Sequence, residues 1–153
     1  MDMKYEQESL RLTAEAAQTP PDELEGFWAR EAEQLTGARP FADYLRRKLR
    51  EKGMLQQEVF LAADLPERYG YKLLAQEKHT RRRDVILRLC LAARLTPEEA
   101  REALTLYGMA PLHGRVKRDA VFLSALGSGL YDVHAVDELL RRHGLAPLLD
   151  AAD

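Results

Sequence analysis

Residues 56–76 read QQEVFLAADLPERYGYKLLAQ. Apolar residues at spacings of three and four predict a short helix over 56–63. Residues 64–66 predict a tight turn, because aspartate tolerates left-handed backbone and proline favours the first turn of a helix. A second short helix is predicted over 67–76. Two short helices joined by a turn of this length are typical of a helix-turn-helix motif.

The second helix has one side suited to the core and one suited to a partner. Gly70 is expected to face the core, because Leu73 and Leu74 follow three and four residues later on the same side. Arg68 and Lys72 then point outward, where Arg68 can pair with guanine or phosphate and Lys72 with phosphate. Outward basic residues are equally common on a helix side that is merely solvated, so both interpretations stay open.

Helices are also predicted on both sides of this motif, and no segment alternates as a strand would. The central helices are predicted over 41–52, 84–93 and 97–107, with Asp84 and Thr96 as the N-caps of the last two. The sequence therefore predicts an all-α protein with a five-helix centre over residues 41–112.

Both ends of the chain predict helical extensions. Residues 1–40 contain predicted helices over 4–17 and 22–35. The second has an apolar stripe that must pack on something: Leu24, Phe27, Trp28, Ala32 and Leu35. Residues 113–147 contain predicted helices over 117–126 and from Asp132, as the N-cap, to Gly144. A frayed tail is predicted over 148–153.

Charge is unevenly distributed along the chain. Residues 1–40 have 4 basic and 9 acidic side chains, a net charge of −5, and residues 119–153 have 2 and 6, a net charge of −4. Residues 41–118 have 17 basic and 10 acidic side chains, a net charge of +7. The basic centre favours an anionic partner. The acidic ends are expected to shield that centre or to bind a protein partner.

The sequence argues against several other classes of protein. No apolar run approaches the roughly 20 residues of a membrane span, and the N-terminal residues lack the apolar core of a secretory signal. The single cysteine, Cys90, lies in an apolar helical pattern, so a reducing cytoplasm is expected. The four histidines lack metal-binding spacing, and no phosphate-binding loop occurs. We predict a protein without enzymatic activity, metal or cofactor.

Several short motifs resemble those of one family. Residues 41–108 are similar to the Cro/C1-type (Xre) helix-turn-helix family, through Gln56, the apolar residues around the turn and LTPEEA at 95–100. A narrower resemblance is to bacterial Xre-like proteins with an acidic N-terminal helical segment and a C-terminal extension. It rests on three motifs: Tyr-Gly-Tyr at 69–71, Arg-Asp at 83–84 and Lys-Arg-Asp-Ala at 117–120.

The resemblance implies a five-helix bundle that binds double-stranded DNA as a homodimer and regulates transcription. The residues then expected to contact DNA lie on the two short helices and on the basic link after them: Gln56, Arg68, Tyr69, Lys72, Lys78, Arg81, Arg82 and Arg83. Gln56 would contact phosphate at a helix N-terminus, and the three arginines of the link would lie near the DNA backbone.

Three residues depart from the family pattern. Asp64 and Gln76 stand where glycine is usual, and Pro66 replaces the usual Ser or Thr cap. Few side chains on the outer side of the second helix suit base recognition. Pro66, Gln76 and this poor readout side favour the alternative of a protein-interaction module that does not bind DNA, whereas the basic centre and the three arginines at 81–83 favour DNA binding. In a third interpretation, the acidic N-terminal segment shields the basic surface.

Overall fold

The computed structural model describes residues 3–32, 34–35 and 39–150, and the side chains from residue 7 onward. The regular structure of these residues is entirely helical, so the expected all-α class is confirmed. The chain divides into two compact units, Met1–Ala38 and Arg39–Asp153, here called unit 1 and unit 2. Within the described residues, no helix is both long enough and apolar enough to cross a membrane.

Unit 1 contains α1, Met3–Gln18, and α2, Leu24–Arg30, with a 3₁₀ turn at Pro21–Glu23 between them. Arg11 of α1 pairs with Glu8 and Glu15 of its own helix and with Glu31 beyond α2, at 2.7 Å for the last. These contacts join the two helices of unit 1 through one guanidinium group.

The helix predicted over 22–35 is wrong at both ends. The two prolines before Asp22 lead into the 3₁₀ turn, and Glu31 leaves helical backbone at φ −104° and ψ 14° where it pairs with Arg11. The predicted apolar stripe is therefore only partly packed: Phe27 is buried, but Trp28 is 51% exposed.

The described part of unit 2, residues 39–150, has seven helices: α3 Pro40–Lys52, α4 Gln56–Ala62, α5 Glu67–Leu74, α6 Arg83–Ala92, α7 Pro97–Tyr107, α8 Lys117–Ser128 and α9 Val133–Arg142. The central helix is α6, which contacts α4, α7 and α9, and α3 packs on α7. Every residue from Val85 to Ala92 is buried. The apolar residues of α6 thus form the middle of the core.

The helix ends agree only in part with the sequence. Thr96 begins α7 with the predicted capping box, and Asp132 accepts hydrogen bonds from the first backbone N–H groups of α9. The assignment of Asp84 as an N-cap is wrong, because α6 begins at Arg83 with Arg82 as its N-cap. Asp84 instead lies in the first turn, where its carboxylate pairs with Arg118 at 2.7 Å.

The C-terminal extension belongs to unit 2, with α8 against α7 and α9 against α6. α8 continues to Ser128, two residues beyond its predicted end, because it is Gly129 that takes the left-handed backbone, at φ 81°. The predicted frayed tail is wrong for Leu148 and Leu149, which are buried. Residues 151–153 of that prediction lie outside the described residues.

Candidate nucleic-acid interface

A buried arginine on α6 binds the backbone of the turn between α4 and α5. Asp64 has left-handed backbone, at φ 57°, as its tolerance for this conformation suggested. Arg88 of α6 is only 3% exposed and donates from Nε to the Ala63 carbonyl at 2.9 Å and from Nη2 to the Asp64 carbonyl. These bonds fix the direction in which α5 leaves the turn. Sequence reasoning missed this role, although an arginine within an otherwise apolar helix is a signal for it.

The inner side of α5 is the one predicted. Gly70, Leu73 and Leu74 are all buried. A Cβ atom at Gly70 would lie 2.5 Å from the ring of Phe60 on α4, and the same ring meets Tyr71 edge to face with centroids 4.9 Å apart. Because Gly70 has no side chain, the Phe60 ring of α4 can pack directly against the backbone of α5.

The outer side of α5 forms a shallow groove of about 530 Å³. Its lining mixes both charges with one aromatic ring: Glu67, Arg68, Tyr71, Lys72, Ala75 and Glu77. Glu67 also accepts a hydrogen bond from Gln57 of α4 at 3.4 Å. The groove thus has basic side chains where DNA contact was expected, with carboxylates beside them.

The end of α5 brings the next basic residue close. The helix stops at Leu74, two residues before its predicted end, and Gln76 takes left-handed backbone at φ 63°. The backbone N–H groups of Glu77 and Lys78 both donate to the carbonyl of Lys72, at 2.9 and 3.2 Å. Lys78 therefore starts directly above the last turn of α5.

The link from α5 to α6 is attached to α7 through Tyr107. The N–H of Thr80 donates to the Tyr107 hydroxyl at 2.9 Å, and His79 stacks on the Tyr107 ring with centroids 5.0 Å apart. Burial at this position raises the pKa of Tyr107, so its hydroxyl stays protonated at neutral pH. The Thr80 hydroxyl in turn accepts from the N–H of Arg82 at 3.0 Å. These contacts determine the path of the link between α5 and α6.

The basic side chains of this link lie on the outside. Lys78, Arg81 and Arg82 are exposed. Arg82 lines a second cavity, of about 590 Å³, together with Pro66 and Tyr69 of the first turn of α5. The link therefore adds positive charge beside both ends of α5.

Arg83 has a partner inside the protein. Its guanidinium group makes two bonds to the Asp119 carboxylate, at 2.6 and 3.0 Å, and donates to the Ala110 carbonyl at 3.0 Å. Burial alone would raise the pKa of Asp119. The bonds from Arg83 and from the His113 N–H outweigh burial and hold that pKa below its ordinary value. This arginine ties α6 to α8 and is not directed at a partner.

Gln56 is the first residue of α4 and is half-buried. The carboxylate of Glu58 accepts from the Leu55 N–H at 3.2 Å, whereas the Leu55 side chain has no oxygen to complete a capping box. Of the predicted residues, the structure thus brings together Arg68, Tyr69, Lys72, Lys78 and Arg82 around α5, with Arg81 on the link. Gln56 lies on the preceding helix.

Comparison with models of protein families, with curated proteins and with solved structures finds no match to this chain. Within the described part of the chain, no group of three or more His, Cys, Asp or Glu side chains is arranged to hold a metal ion.

Proposed function

We propose that unit 2 binds double-stranded DNA as a bacterial transcriptional regulator of the Cro/C1 type, with α5 in the major groove and the link after it along the phosphates. One observation carries the proposal. Arg68, Lys72, Lys78 and Arg81 form no ion pair with any residue that the structure describes. The neighbouring arginines Arg83, Arg88 and Arg118 are instead held by internal partners: Asp119, the turn carbonyls and Asp84.

This division of the cations fits a phosphate-binding surface. An internally paired arginine must give up its partner before it binds phosphate, whereas an unpaired one only releases water and counterions. Each phosphate contact releases bound counterions from DNA, which gives both affinity and salt dependence. These four cations, on the outer side of α5 and on the link after it, therefore supply a sequence-independent attraction to DNA.

The same surface suggests limited affinity for one half-site. Glu67 and Glu77 line the groove that holds Arg68 and Lys72, and like charges repel phosphate. Arg68 is the side chain on this side best suited to pair with guanine. We therefore expect the protein to act as a homodimer, because two weak half-sites on one operator combine their affinities.

The experiment compares two triple variants in duplex DNA binding at 50 to 300 mM salt. Arg68→Ala, Lys72→Ala, Arg81→Ala removes three cations of the proposed surface. Arg115→Ala, Lys117→Ala, Arg142→Ala removes the same charge from three exposed positions elsewhere on unit 2. We expect the first variant to lose binding, with its log–log salt slope falling by about 0.9 for each phosphate contact removed. The second variant should stay close to the original protein.

Equal weakening of both variants, or no binding by the original protein at 50 mM salt, would contradict the proposal. The second result would support the other candidate function, a protein-interaction module on the same fold. That alternative is favoured by two exposed leucines, Leu61 on α4 and Leu55 at its N-cap, which are 81% and 65% exposed.

A further inference from the structure

The segment 145–150 follows α9 and is fixed to it by side chains. Asp137 of α9 accepts from the N–H groups of Leu148 and Leu149, both at 2.8 Å. Arg141 pairs with Asp137 at 2.8 Å and donates to the Leu149 carbonyl at 2.7 Å. With both leucines buried, the path of this segment is determined by its own unit.

Arg118 of α8 holds the earlier part of the same segment. It donates to the carbonyls of Ala146 and Pro147, at 2.9 and 3.0 Å, while its guanidinium group pairs with Asp84 in the first turn of α6. The segment therefore passes close to the start of α6. The candidate interface includes Arg82, which is the N-cap of that helix.

The segment 145–150 ends in a carboxylate that pairs with Arg82. Asp150 pairs with Arg82 at 3.1 Å between Oδ2 and Nη2. Both side chains are about half exposed, at 56% and 53%, so a partner from solution has access to them. Arg82 also lines the cavity beside Pro66 and Tyr69. Of the arginines predicted on the link, Arg82 is therefore the one with a solvent-exposed ion pair, and its partner is Asp150.

We propose that Asp150 takes the place of a DNA phosphate on Arg82, so that the segment 145–150 lowers the affinity of unit 2 for DNA. The inference rests on the proposed function. A phosphate and a carboxylate both accept two N–H groups of a guanidinium. DNA must therefore displace Asp150 before Arg82 contributes a phosphate contact.

The expected effect is modest, because exposed ion pairs are weak. Pairs of this kind are worth at most about 1 kcal/mol. Asp150→Asn should bind DNA about two to five times more tightly at 50 mM salt. Its log–log salt slope should become steeper by up to about 0.9, the value for one added phosphate contact.

The control is Glu138→Gln, which makes the same change in net charge at an exposed position of α9. Glu138 forms no ion pair with a described residue. Binding of the full chain and of both variants to one duplex is measured from 50 to 300 mM salt. Asp150→Asn is also measured in the Arg82→Ala background, where its effect should disappear.

The outcomes separate the two proposals. A gain in affinity specific to Asp150→Asn and dependent on Arg82 supports the inference. Equal gains from both substitutions would show a general charge effect and overturn it, and so would a gain that persists in Arg82→Ala. If neither the original protein nor Asp150→Asn binds DNA at 50 mM salt, the proposed function itself fails, and this inference fails with it.

Discussion

Gly70 is the residue on which the contact between α4 and α5 depends. Glycine within a helix costs about 1 kcal/mol relative to alanine. At this position glycine is required for a close contact between the helices, because a Cβ atom at residue 70 would lie 2.5 Å from the Phe60 ring. Phe60 is fully buried and also contacts Tyr71, so it has little room to move.

We expect Gly70→Ala to lower the free energy of unfolding by about 1 to 3 kcal/mol, the usual cost of overpacking a core. Gly127→Ala is the matched control. Gly127 lies in α8 with its nearest neighbour 3.8 Å from the Cβ position, so helix propensity should raise stability by up to about 1 kcal/mol. Urea unfolding measures both. Stabilisation by Gly70→Ala would show that the Phe60 contact does not constrain the turn.

Three described residues of unit 2 adopt left-handed backbone without being glycine: Asp64, Gln76 and Arg94, with φ of 57°, 63° and 56°. Each follows the last turn of a helix. The N–H after it donates to a carbonyl five residues earlier, as Leu65 does to Phe60 and Leu95 to Cys90. This is the hydrogen bond of a Schellman ending, and it helps to hold the strained residue.

At the scale of elements, two reciprocal ion pairs join α6 to α8. Arg83 of α6 pairs with Asp119 of α8, and Arg118 of α8 pairs with Asp84 of α6. On each helix an arginine and an aspartate are adjacent in sequence, and each pairs with the oppositely charged residue of the other helix. They attach the C-terminal extension to the first turn of α6, next to the candidate interface.

We expect Asp119→Asn to lower the free energy of unfolding at pH 7 by about 2 to 4 kcal/mol, because Arg83 loses its partner in a largely buried site. The pKa of Asp119 is lowered in the folded state. Its contribution is therefore complete above the unfolded pKa of about 3.9 and is lost as the pH falls through the folded pKa.

Urea unfolding between pH 2.5 and 7 tests this dependence. The difference between the original protein and Asp119→Asn should be constant from pH 7 to 5 and should shrink below about pH 4. Glu138→Gln, at an exposed position, should change stability by less than about 0.5 kcal/mol throughout. A difference that does not change with pH would show that the ion pair is not the source of the loss.

The sequence predicted local features better than distant ones. The sequence predicts Thr96 and Asp132 as caps because a cap and the backbone N–H groups it binds lie within four residues. Asp84 looked equally like a cap. Its actual partner, Arg118, lies 34 residues further along the chain. The outward side of α5 followed from helical spacing, whereas the internal pairing of Arg83 and the role of Arg88 depend on tertiary packing.

At the scale of the whole molecule, the two units carry opposite charge. Residues 1–38 have 3 basic and 9 acidic side chains, a net charge of −6. Residues 39–153 have 20 basic and 16 acidic side chains, a net charge of +4. Covalent attachment keeps this negative charge near any polyanion that unit 2 binds.

Removal of residues 1–38 is expected to strengthen DNA binding by about 3- to 30-fold at 50 mM salt and by less than about twofold at 300 mM, because salt screens charge. Unit 2 is compact by itself, and a cooperative thermal transition of residues 39–153 would show that it folds alone. A gain that does not vary with salt would indicate a steric effect of unit 1. No gain at any salt concentration would exclude shielding.

Cys90 lies in the middle of α6, where burial raises the pKa of its thiol to about 12. An alkylating reagent reacts with the thiolate. In the folded unit at neutral pH, the reagent cannot reach the buried sulfur, and that sulfur is protonated and therefore unreactive. The alkylation rate therefore reports how often the core opens. Because the chain has one cysteine, this rate needs no introduced label. Slower alkylation with added duplex would measure how strongly bound DNA holds the bundle closed.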